Sequence, residues 1–430
     1  MSKIVIPQEL LKSTQKQVVV IGGGIIGLST AYFLTQAGHQ VALIEQHRNV
    51  AEVSTLGNSG MLATAATTPW AVNGMRKRII SGLFSQEAST ILNARLSPSL
   101  WRWLLRWTSK PELQRYQLHM ERMQRLASYS QEMLLQLQAD HQLDFEQSSG
   151  LLQVFRTEKE FAATAPLQAL MTERNVAHRV LDSASVQALE PALHTARSVA
   201  GGLYFPELAS GNCTLFTKQL KSIAQASGVQ FHFDMRVDAI DSHDNQVALR
   251  IGGDVLHADA VVVAAGTGSA PLLNNIGLKV PLRAVKTYTV TAAIKNYEVA
   301  PKLALQDDAY KVTMARLGER IRVAGIAELG ARDTTIDDKA LRTLLKVTQD
   351  WYPDAANYHN AQMWTGNIPM LADEVPLIGA TSRSNVYVNV GHGGSGWSMA
   401  LGAAKIVADQ ISGRSPEIDI DGLTLARYRR

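Results

Sequence analysis

One segment near the start of the chain, residues 17–45, reads QVVVIGGGIIGLSTAYFLTQAGHQVALIE. An apolar run over Val18–Ile21 leads into three consecutive glycines, and a helical pattern follows over Leu28–Gln36. A second apolar run, Val41–Ile44, leads to the end of the segment. Short apolar runs of this kind are typical of parallel strands buried on both faces, and the internal glycines argue against a membrane-spanning helix. The segment therefore predicts a strand, a turn, a helix and a second strand.

The glycine turn of this unit has the spacing GxGxxG through Gly22, Gly24 and Gly27. The first glycine permits a tight turn, the second lets a pyrophosphate approach the backbone, and the third lets the helix pack closely on the strand. Backbone N–H groups at the positive end of the helix would neutralise the diphosphate. Glu45, which ends the second strand, can accept hydrogen bonds from ribose hydroxyls. We therefore predict a dinucleotide site, and its further members are Ile25, Ile26 and Gln46.

The choice between NAD and FAD depends on two later glycine turns, because both cofactors share the ADP half. Residues 259–268 read DAVVVAAGTG, and residues 389–397 read NVGHGGSGW. A glycine-rich turn that opens a helix can stabilise the negative charge that develops on the N1 and O2 side of a reduced flavin ring. We therefore predict FAD as the cofactor. The predicted contacts in these two turns are Ala265, Gly266, Gly391, Gly393, Gly394, Ser395, Gly396 and Trp397.

Composition limits the class of protein. The chain has 430 residues, of which 46% are hydrophobic, so it can bury a large core over two or three domains. Its net charge of +4 is too small at this length to indicate a nucleic-acid partner. The single cysteine, Cys213, cannot form an intramolecular disulfide or a cysteine-ligated metal cluster, and a lone thiol is typical of a reducing compartment. We expect a cytoplasmic protein with no metal site and no nucleic-acid partner.

A second group of strands has a different pattern. Residues Lys286–Ile294, Lys311–Ala315 and Ile321–Gly325 mix polar and apolar positions, as in an antiparallel sheet with one wetter face. The end of the chain returns to a buried strand, a glycine turn and a helix. We therefore predict an α/β protein in which a Rossmann-like FAD-binding domain is interleaved with an α+β substrate domain built on a mixed or antiparallel sheet. The predicted boundaries are 1–75, 195–280 and 360–430 for the FAD-binding domain, and 76–194 and 281–359 for the substrate or cap domain.

With these motifs, the chain resembles the FAD-dependent D-amino acid dehydrogenases of the D-amino acid oxidase and glycine oxidase superfamily. Further segments that carry the resemblance are STLGNSG at 54–60, GNCTLFT at 211–217, PLRAVKTY at 281–288, and residues 311–316 and 321–325. The resemblance implies hydride transfer from the α-carbon of an amino acid to flavin N5, hydrolysis of the imine to a 2-oxo acid and ammonia, and delivery of the electrons to a quinone or another respiratory-chain acceptor. The predicted FAD contacts are completed by Asn58, Ser59, Gly60 and Val237.

One position departs from the family pattern. The family usually carries Gly-x-Arg-Pro where this chain has Gly366-Asn-Ile368-Pro369. In the glycine oxidase branch that arginine holds the substrate carboxylate in a fork geometry, which an isoleucine cannot reproduce. Either another cation takes its place, or the substrate is an amine or an unusual amino acid held differently. The candidate cations are Lys286, Arg316 and Arg283.

Four residues are candidates for the chemistry itself. His392 lies in the last glycine turn, where it would handle a proton or form a hydrogen bond to the flavin ring. Lys286 and Tyr288 lie on a predicted strand, so they would contact substrate or belong to an ordinary strand face. Arg316 would be a replacement carboxylate anchor or a surface arginine.

Four of the seven tryptophans, Trp70, Trp101, Trp103 and Trp107, fall within residues 70–107, which also carry several basic residues. Such a mixture suits a segment at a membrane interface, and peripheral contact with the inner face of the cytoplasmic membrane is one interpretation. The other interpretation is an amphipathic helix packed on its own domain.

Two further functions remain open beside oxidation of a D-amino acid. One is oxidation of a secondary or cyclic amine, such as a proline derivative or sarcosine. The other is an FAD-binding subunit that needs a partner to act, which the missing arginine allows.

Overall fold

The computed structural model describes residues 15–63, 87, 89–93, 98–108, 113–195, 198–242, 246–331 and 333–428. The helices are α1 (Ile25–Gln36), α2 (Pro98–Thr108), α3 (Leu113–His141), α4 (Glu158–Ala162), α5 (Ala165–Glu173), α6 (Ser183–Leu189), α7 (Cys213–Ala226), α8 (Ser269–Asn275), α9 (Asp338–Trp351) and α10 (Gly396–Ile411). The first strands are β1 (Gln17–Ile21), β2 (Gln40–Ile44), β3 (Met61–Leu62), β4 (Thr90–Leu92), β5 (Ser148–Phe155), β6 (Arg179–Asp182), β7 (Gly201–Ser210), β8 (Gln230–His232), β9 (Ala239–Ser242) and β10 (Val247–Ile251). The later strands are β11 (Asp254–Ala258), β12 (Ala260–Val263), β13 (Leu282–Ala293), β14 (Ala304–Asp307), β15 (Val312–Leu317), β16 (Arg320–Leu329), β17 (Gln362–Leu371), β18 (Leu377–Ala380) and β19 (Val386–Val390).

The amino-terminal unit lies within a six-stranded sheet with the order β18-β19-β12-β1-β2-β8. Its neighbouring strands are parallel except β18 with β19. Helices α1, α3, α7 and α10 share the hydrophobic cluster on one face, while α8 and a small sheet of β9, β10 and β11 pack on the other. Because both faces are covered, the central strands β1, β2 and β12 are apolar apart from the glutamines that begin β1 and β2. The Rossmann-like part of the predicted fold class is confirmed.

Two glycines of the first turn are required by close backbone contacts. Gly22 has φ +115°, and a Cβ on it would lie 2.4 Å from the carbonyl oxygen of Ala264. A Cβ on Gly27 would lie 1.9 Å from the carbonyl oxygen of Gly22. Helix α1 can therefore approach β1 and β12 only because these side chains are absent.

The second sheet has ten strands, eight of them in the order β17-β13-β16-β15-β14-β5-β7-β3, with β4 beside β16 and β6 beside β7. Its pairs are antiparallel except β5 with β14 and β4 with β16, so the predicted mixed sheet is confirmed. Helix α9 packs on one face together with inward residues of β13, β15 and β16. On the opposite face, α2 covers part of β13, β16 and β17, and other residues of these strands lie toward the first sheet.

The predicted domain boundaries need adjustment at four elements. Strands β3, β7 and β17 belong to the ten-stranded sheet, although they fall within the ranges assigned to the FAD-binding domain. Helix α3 falls within a range assigned to the cap, yet it packs against α10 in the cluster of the six-stranded sheet. The physical reason is that helix α3 follows the apolar surface of α10, which sequence position alone does not reveal.

The tryptophan-rich segment is described only in part, because residues 64–86, 88 and 94–97, including Trp70, lie outside the described residues. Within the described part, α2 buries Leu100, Trp103, Leu104 and Trp107 against β13, β16 and β17. On its outer side, Trp101 is 42% exposed and Leu105 is 59% exposed. The helix is therefore packed on its own protein and still presents apolar surface. Across the described ranges, no helix is both long enough and apolar enough to cross a membrane.

Candidate active site

A cavity of about 510 Å³ lies between the two sheets. One side is formed where β1, β2, β12 and β19 end, and the other is formed by β13 to β17. Because the glycine turns follow the strands of the first sheet, the structure brings most predicted FAD contacts together here. Those that line the cavity are Gly22, Gly24, Ile25, Ile26, Glu45, Gln46, Asn58, Ser59, Val237, Ala265, Gly266, Gly391, Gly393, Gly394, Ser395, Gly396 and Trp397.

Two predicted contacts, Gly27 and Gly60, do not line the cavity. Gly27 faces the backbone of Gly22, so it permits helix packing rather than contact. Gly60 has φ +84°; its N–H donates to Asn58 Oδ1 at 2.8 Å, and its carbonyl accepts from the N–H of Gly211 at 2.8 Å. Its role in this structure is to shape the loop that carries Asn58 and Ser59.

The nucleotide end of the cavity is marked by Glu45. Its Oε2 accepts a hydrogen bond from the N–H of Gly23 at 2.6 Å, and its Oε1 accepts one from the N–H of His47 at 2.9 Å. A carboxylate has about four acceptor positions, so Glu45 is held in place and can still accept bonds from ribose hydroxyls.

Two helix starts face the cavity. Helix α1 begins after Gly24, which supplies no side-chain cap, and Thr55 Oγ1 accepts from the N–H of Ile25 at 3.1 Å. Helix α10 begins after the short 3-10 helix Gly393–Ser395, and Ser395 likewise gives no side-chain cap. Although the Ile25 N–H already has a partner, the amino-terminal turn of a helix has further free N–H groups and carries positive partial charge. They suit a diphosphate at α1 and the electron-rich edge of a flavin at α10.

The loop at residues 54–60 is held by an arginine that the sequence did not single out as a site residue. Arg322 of β16 donates from Nη1 to the carbonyl oxygens of Leu56, at 2.9 Å, and Asn58, at 3.1 Å. Burial, together with the nearby Arg320, lowers the pKa of Arg322 to about 10. Only its place in the family-like segment 321–325 could have drawn attention to it.

His392 lines the cavity and is buried. Its Nε2 has no hydrogen-bond partner among the residues that the structure describes. Burial lowers the pKa of His392 to about 3, so the ring is uncharged at neutral pH. An unpartnered buried nitrogen beside a cavity fits a hydrogen bond to a bound group. This observation, the two open helix starts and the glycine cradle together fit FAD.

Tyr288 also lines the cavity, and it belongs to a buried polar cluster. Its hydroxyl donates to Glu328 Oε2, and burial together with Glu328 raises the pKa of Tyr288. Lys286 does not reach the cavity. Its Nζ lies 3.2 Å from Glu328 Oε2 and 3.3 Å from Asp333 Oδ1. The structure therefore places Lys286 behind the cavity wall.

Arg316 and Arg283 do not line the cavity either, so the structure does not support them as carboxylate anchors. Arg316 donates from Nε to the carbonyl oxygen of Gly318 at 3.0 Å, and its guanidinium lies 5.2 Å from the ring centre of Tyr297. On β15 it shares the side of Met314, which packs under helix α9, because alternate residues of a strand point to opposite faces.

The substrate end of the cavity has one apolar and one polar wall. Ile368, Trp107 and Ala327 line the apolar wall, and Trp107 Nε1 donates to buried Glu374 Oε1 at 2.6 Å. Residues of β14, β15 and their connection form the polar wall. The members of this polar wall are Gln306, Lys311 and Thr313. Neither Lys311 nor Trp107 was predicted from the sequence to line a site.

Comparisons with known proteins agree with this arrangement. A family model described as FAD dependent oxidoreductase matches residues 17–410. A D-amino acid dehydrogenase of Neisseria meningitidis is 36% identical over 416 residues, which cover 96% of this chain and 100% of that protein. A D-amino acid dehydrogenase of Vibrio cholerae is 35% identical over 415 residues, which cover 96% and 99%.

Two solved structures resemble the fold. Glycine oxidase from Geobacillus kaustophilus superposes with a TM-score of 0.75 at 19% identity, and covers 97% of this chain and 100% of that one. L-proline dehydrogenase from P. horikoshii superposes with a TM-score of 0.72 at 16% identity, with coverages of 96% and 98%. At these identities the likeness concerns the fold alone.

Proposed function

Because the chain belongs to the DAO family of FAD-dependent oxidoreductases, we propose that it oxidises the bond between the α-carbon and the nitrogen of an amino acid, with D-amino acids as the first substrate class. The observation that carries the proposal is one cavity that runs from Glu45 and the two helix starts to a compartment on the ten-stranded sheet. The full-length similarity to proteins named D-amino acid dehydrogenase supports the substrate class.

The chain's own residues would hold FAD in three places. Glu45 would bind the ribose, the start of α1 would bind the diphosphate, and the start of α10 with His392 would bind the ring system. The bound flavin supplies the acceptor for a hydride from the substrate α-carbon.

The remaining work of the protein is to position the substrate and exclude water. A neutral amine can expel a hydride with its own lone pair, so a strong base at the α-carbon is not required. The apolar wall of Ile368 and Trp107 keeps water from the compartment. His392, uncharged at neutral pH, would orient a bound group through Nε2 rather than carry a proton as an imidazolium. The product imine would hydrolyse to a 2-oxo acid and ammonia.

The test is anaerobic mixing of the FAD-loaded protein with D-amino acids, L-amino acids, prolines and N-methyl amino acids, while flavin absorbance is recorded. We expect a D-amino acid to bleach the flavin before oxygen enters. Bleaching by a proline derivative or sarcosine alone would favour oxidation of secondary amines. The observation that supports this alternative is that apolar Ile368 lines the cavity where the family has an arginine. Reduction by dithionite but by no amine would contradict catalysis by this chain alone.

We also propose a quinone as electron acceptor, with α2 as the contact to the membrane. Its outer side presents Trp101 and Leu105, and Arg102 and Arg106 are exposed beside them. Aromatic, apolar and basic side chains on one exposed helix suit an interface with anionic lipid. Sedimentation with anionic vesicles should fall for Trp101→Ser/Leu105→Ser. Equal sedimentation of wild type and variant would contradict this contact.

A further inference from the structure

The substrate end of the cavity needs a cation if its ligand is an amino acid, and this step rests on the proposed function. Position 368 cannot supply it, because Ile368 packs with Val285, Ala327 and Trp107. A carboxylate buried without a cation or hydrogen-bond donors is strongly unfavourable. A cation on another wall would lower this cost most, because a charge-assisted hydrogen bond is stronger than a neutral one.

Among the lysines and arginines that the structure describes, two line the cavity, Arg236 and Lys311. Arg236 lies at the nucleotide end, because the N–H of the preceding residue, Met235, donates to the carbonyl oxygen of Glu45 at 3.0 Å. The side chain of Arg236 is 77% exposed. Lys311 ends the connection between β14 and β15, next to the cavity-lining residues Gln306 and Thr313. We propose that Lys311 binds the carboxylate of the substrate and that the apolar wall receives its side chain.

The backbone conformation and the side-chain contacts of Lys311 both restrict its position. Lys311 has φ +54°, in the left-handed region that is uncommon for a residue with a side chain. Its ammonium group forms an ion pair with Asp308, whose Oδ1 also accepts from Gln153 Nε2 at 2.8 Å. An ammonium has three N–H donors, so this pairing leaves donors for a bound carboxylate.

The connection between β14 and β15, which carries Lys311, is also fixed by the buried carboxylate of Asp307. Asp307 accepts hydrogen bonds from Arg156 Nε at 2.7 Å, Trp351 Nε1 at 2.7 Å and the N–H of Tyr310 at 3.1 Å. Asp307 is fully buried. This cluster anchors the connection between β14 and β15, so it positions Lys311 without contacting the cavity itself.

The two walls are separated by a distance that selects the substrate. Strands β13 and β16 lie between β17, which carries Ile368, and β15, which Lys311 precedes. Three steps of about 4.8 Å put the two walls roughly 14 Å apart across the sheet. A small amino acid such as glycine contacts only one wall, whereas an amino acid with a long apolar side chain can use both. We expect amino acids with a long apolar side chain, such as leucine, methionine or phenylalanine, to be preferred over glycine.

The test measures binding without turnover. The probe is 4-methylpentanoate, which is leucine without its amino group, and the reference is its neutral amide. Calorimetric titration of the FAD-loaded protein should show at least about tenfold tighter binding of the carboxylate, since hydrogen bonds to charged groups are worth more than neutral ones. Lys311→Met should remove this preference, and Lys311→Arg should retain it. Lys295→Met, at an exposed ion pair outside the cavity, is the matched control.

A carboxylate preference that survives Lys311→Met, with FAD content and thermal stability unchanged, would overturn the proposal, as would a wild type that does not prefer the carboxylate. Ile368→Arg tests the opposite wall, and a tenfold gain in carboxylate affinity there would contradict Lys311 as the anchor. The proposed function fails separately. If no amino acid bleaches the flavin but the Lys311-dependent preference persists, the anion site stands and the reaction assignment falls.

Discussion

The nucleotide end of the cavity is formed mainly by backbone groups, whereas the substrate end is formed mainly by side chains. At the nucleotide end, glycine turns and two helix starts present backbone N–H groups. At the substrate end, the side chains of residues such as Ile368, Trp107 and Lys311 line the cavity. A backbone site depends on close packing and tolerates little added volume, whereas a side-chain site can change specificity with one substitution while the fold persists. This difference explains how the chain can retain an FAD-type site and yet lack the family arginine.

The largest effect is expected at the backbone site, from Gly27→Ala. Alanine favours a helix over glycine by about 1 kcal/mol. Its Cβ, however, would lie 1.9 Å from the carbonyl oxygen of Gly22, so α1 must move away from β1. We expect a loss of more than about 3 kcal/mol in unfolding free energy and loss of bound FAD. Urea denaturation and flavin absorbance measure both.

The matched control is Gly253→Ala, because a Cβ there meets open space in the turn between β10 and β11. It should change the unfolding free energy by less than about 0.5 kcal/mol. Retention of FAD and wild-type stability in Gly27→Ala would show that close packing does not control the nucleotide end.

The same contrast explains what the sequence could predict. The turn from Gly22 to Gly27 and the following Glu45 are fixed by a local pattern of about thirty residues, which could be interpreted directly. Arg322 holds Leu56, a residue 266 positions away, and Lys311 and Ile368 come to line one cavity only through the pairing of four strands. Such contacts depend on tertiary pairing, which periodicity in one segment does not encode.

Strand alternation explains the candidates that the structure did not support. Lys286 and Arg316 were chosen by residue type, yet each lies on the strand side that packs toward α9. Tyr288 shares that side and also lines the cavity, at the point where β16 has an extra residue, Ile326, opposite the step from Thr287 to Tyr288. A bulge of this kind leaves no reliable sequence signal.

A smaller effect is expected where the two ends meet, at His392, which pairs with Met370 of β17. Burial lowers the pKa of His392 to about 3, whereas an unfolded histidine titrates near 6.5. The unfolded chain therefore takes up the proton first, and stability falls as pH falls from about 6.5 towards 3. At pH 4.5 the loss is about 2–3 kcal/mol. Between pH 7.5 and 4.5, wild type should lose that much more unfolding free energy than His392→Gln, and equal losses would contradict the assignment.

The smallest effect is expected from Arg322, through which the ten-stranded sheet holds the loop of the nucleotide end. Arg322→Gln removes the charged donor to the carbonyl oxygens of Leu56 and Asn58, so FAD affinity should fall by about tenfold. Because burial already lowers the pKa of Arg322, removing its charge also relieves a desolvation cost, and the FAD-free protein should not lose stability. Titration of FAD into the apoprotein and thermal denaturation separate the two effects. Arg322→Lys, which keeps the charge but not the fork, should fall between wild type and Arg322→Gln. Unchanged FAD affinity in Arg322→Gln would contradict this role of Arg322. It would mean that FAD binding at the nucleotide end does not depend on the side chain that the ten-stranded sheet supplies.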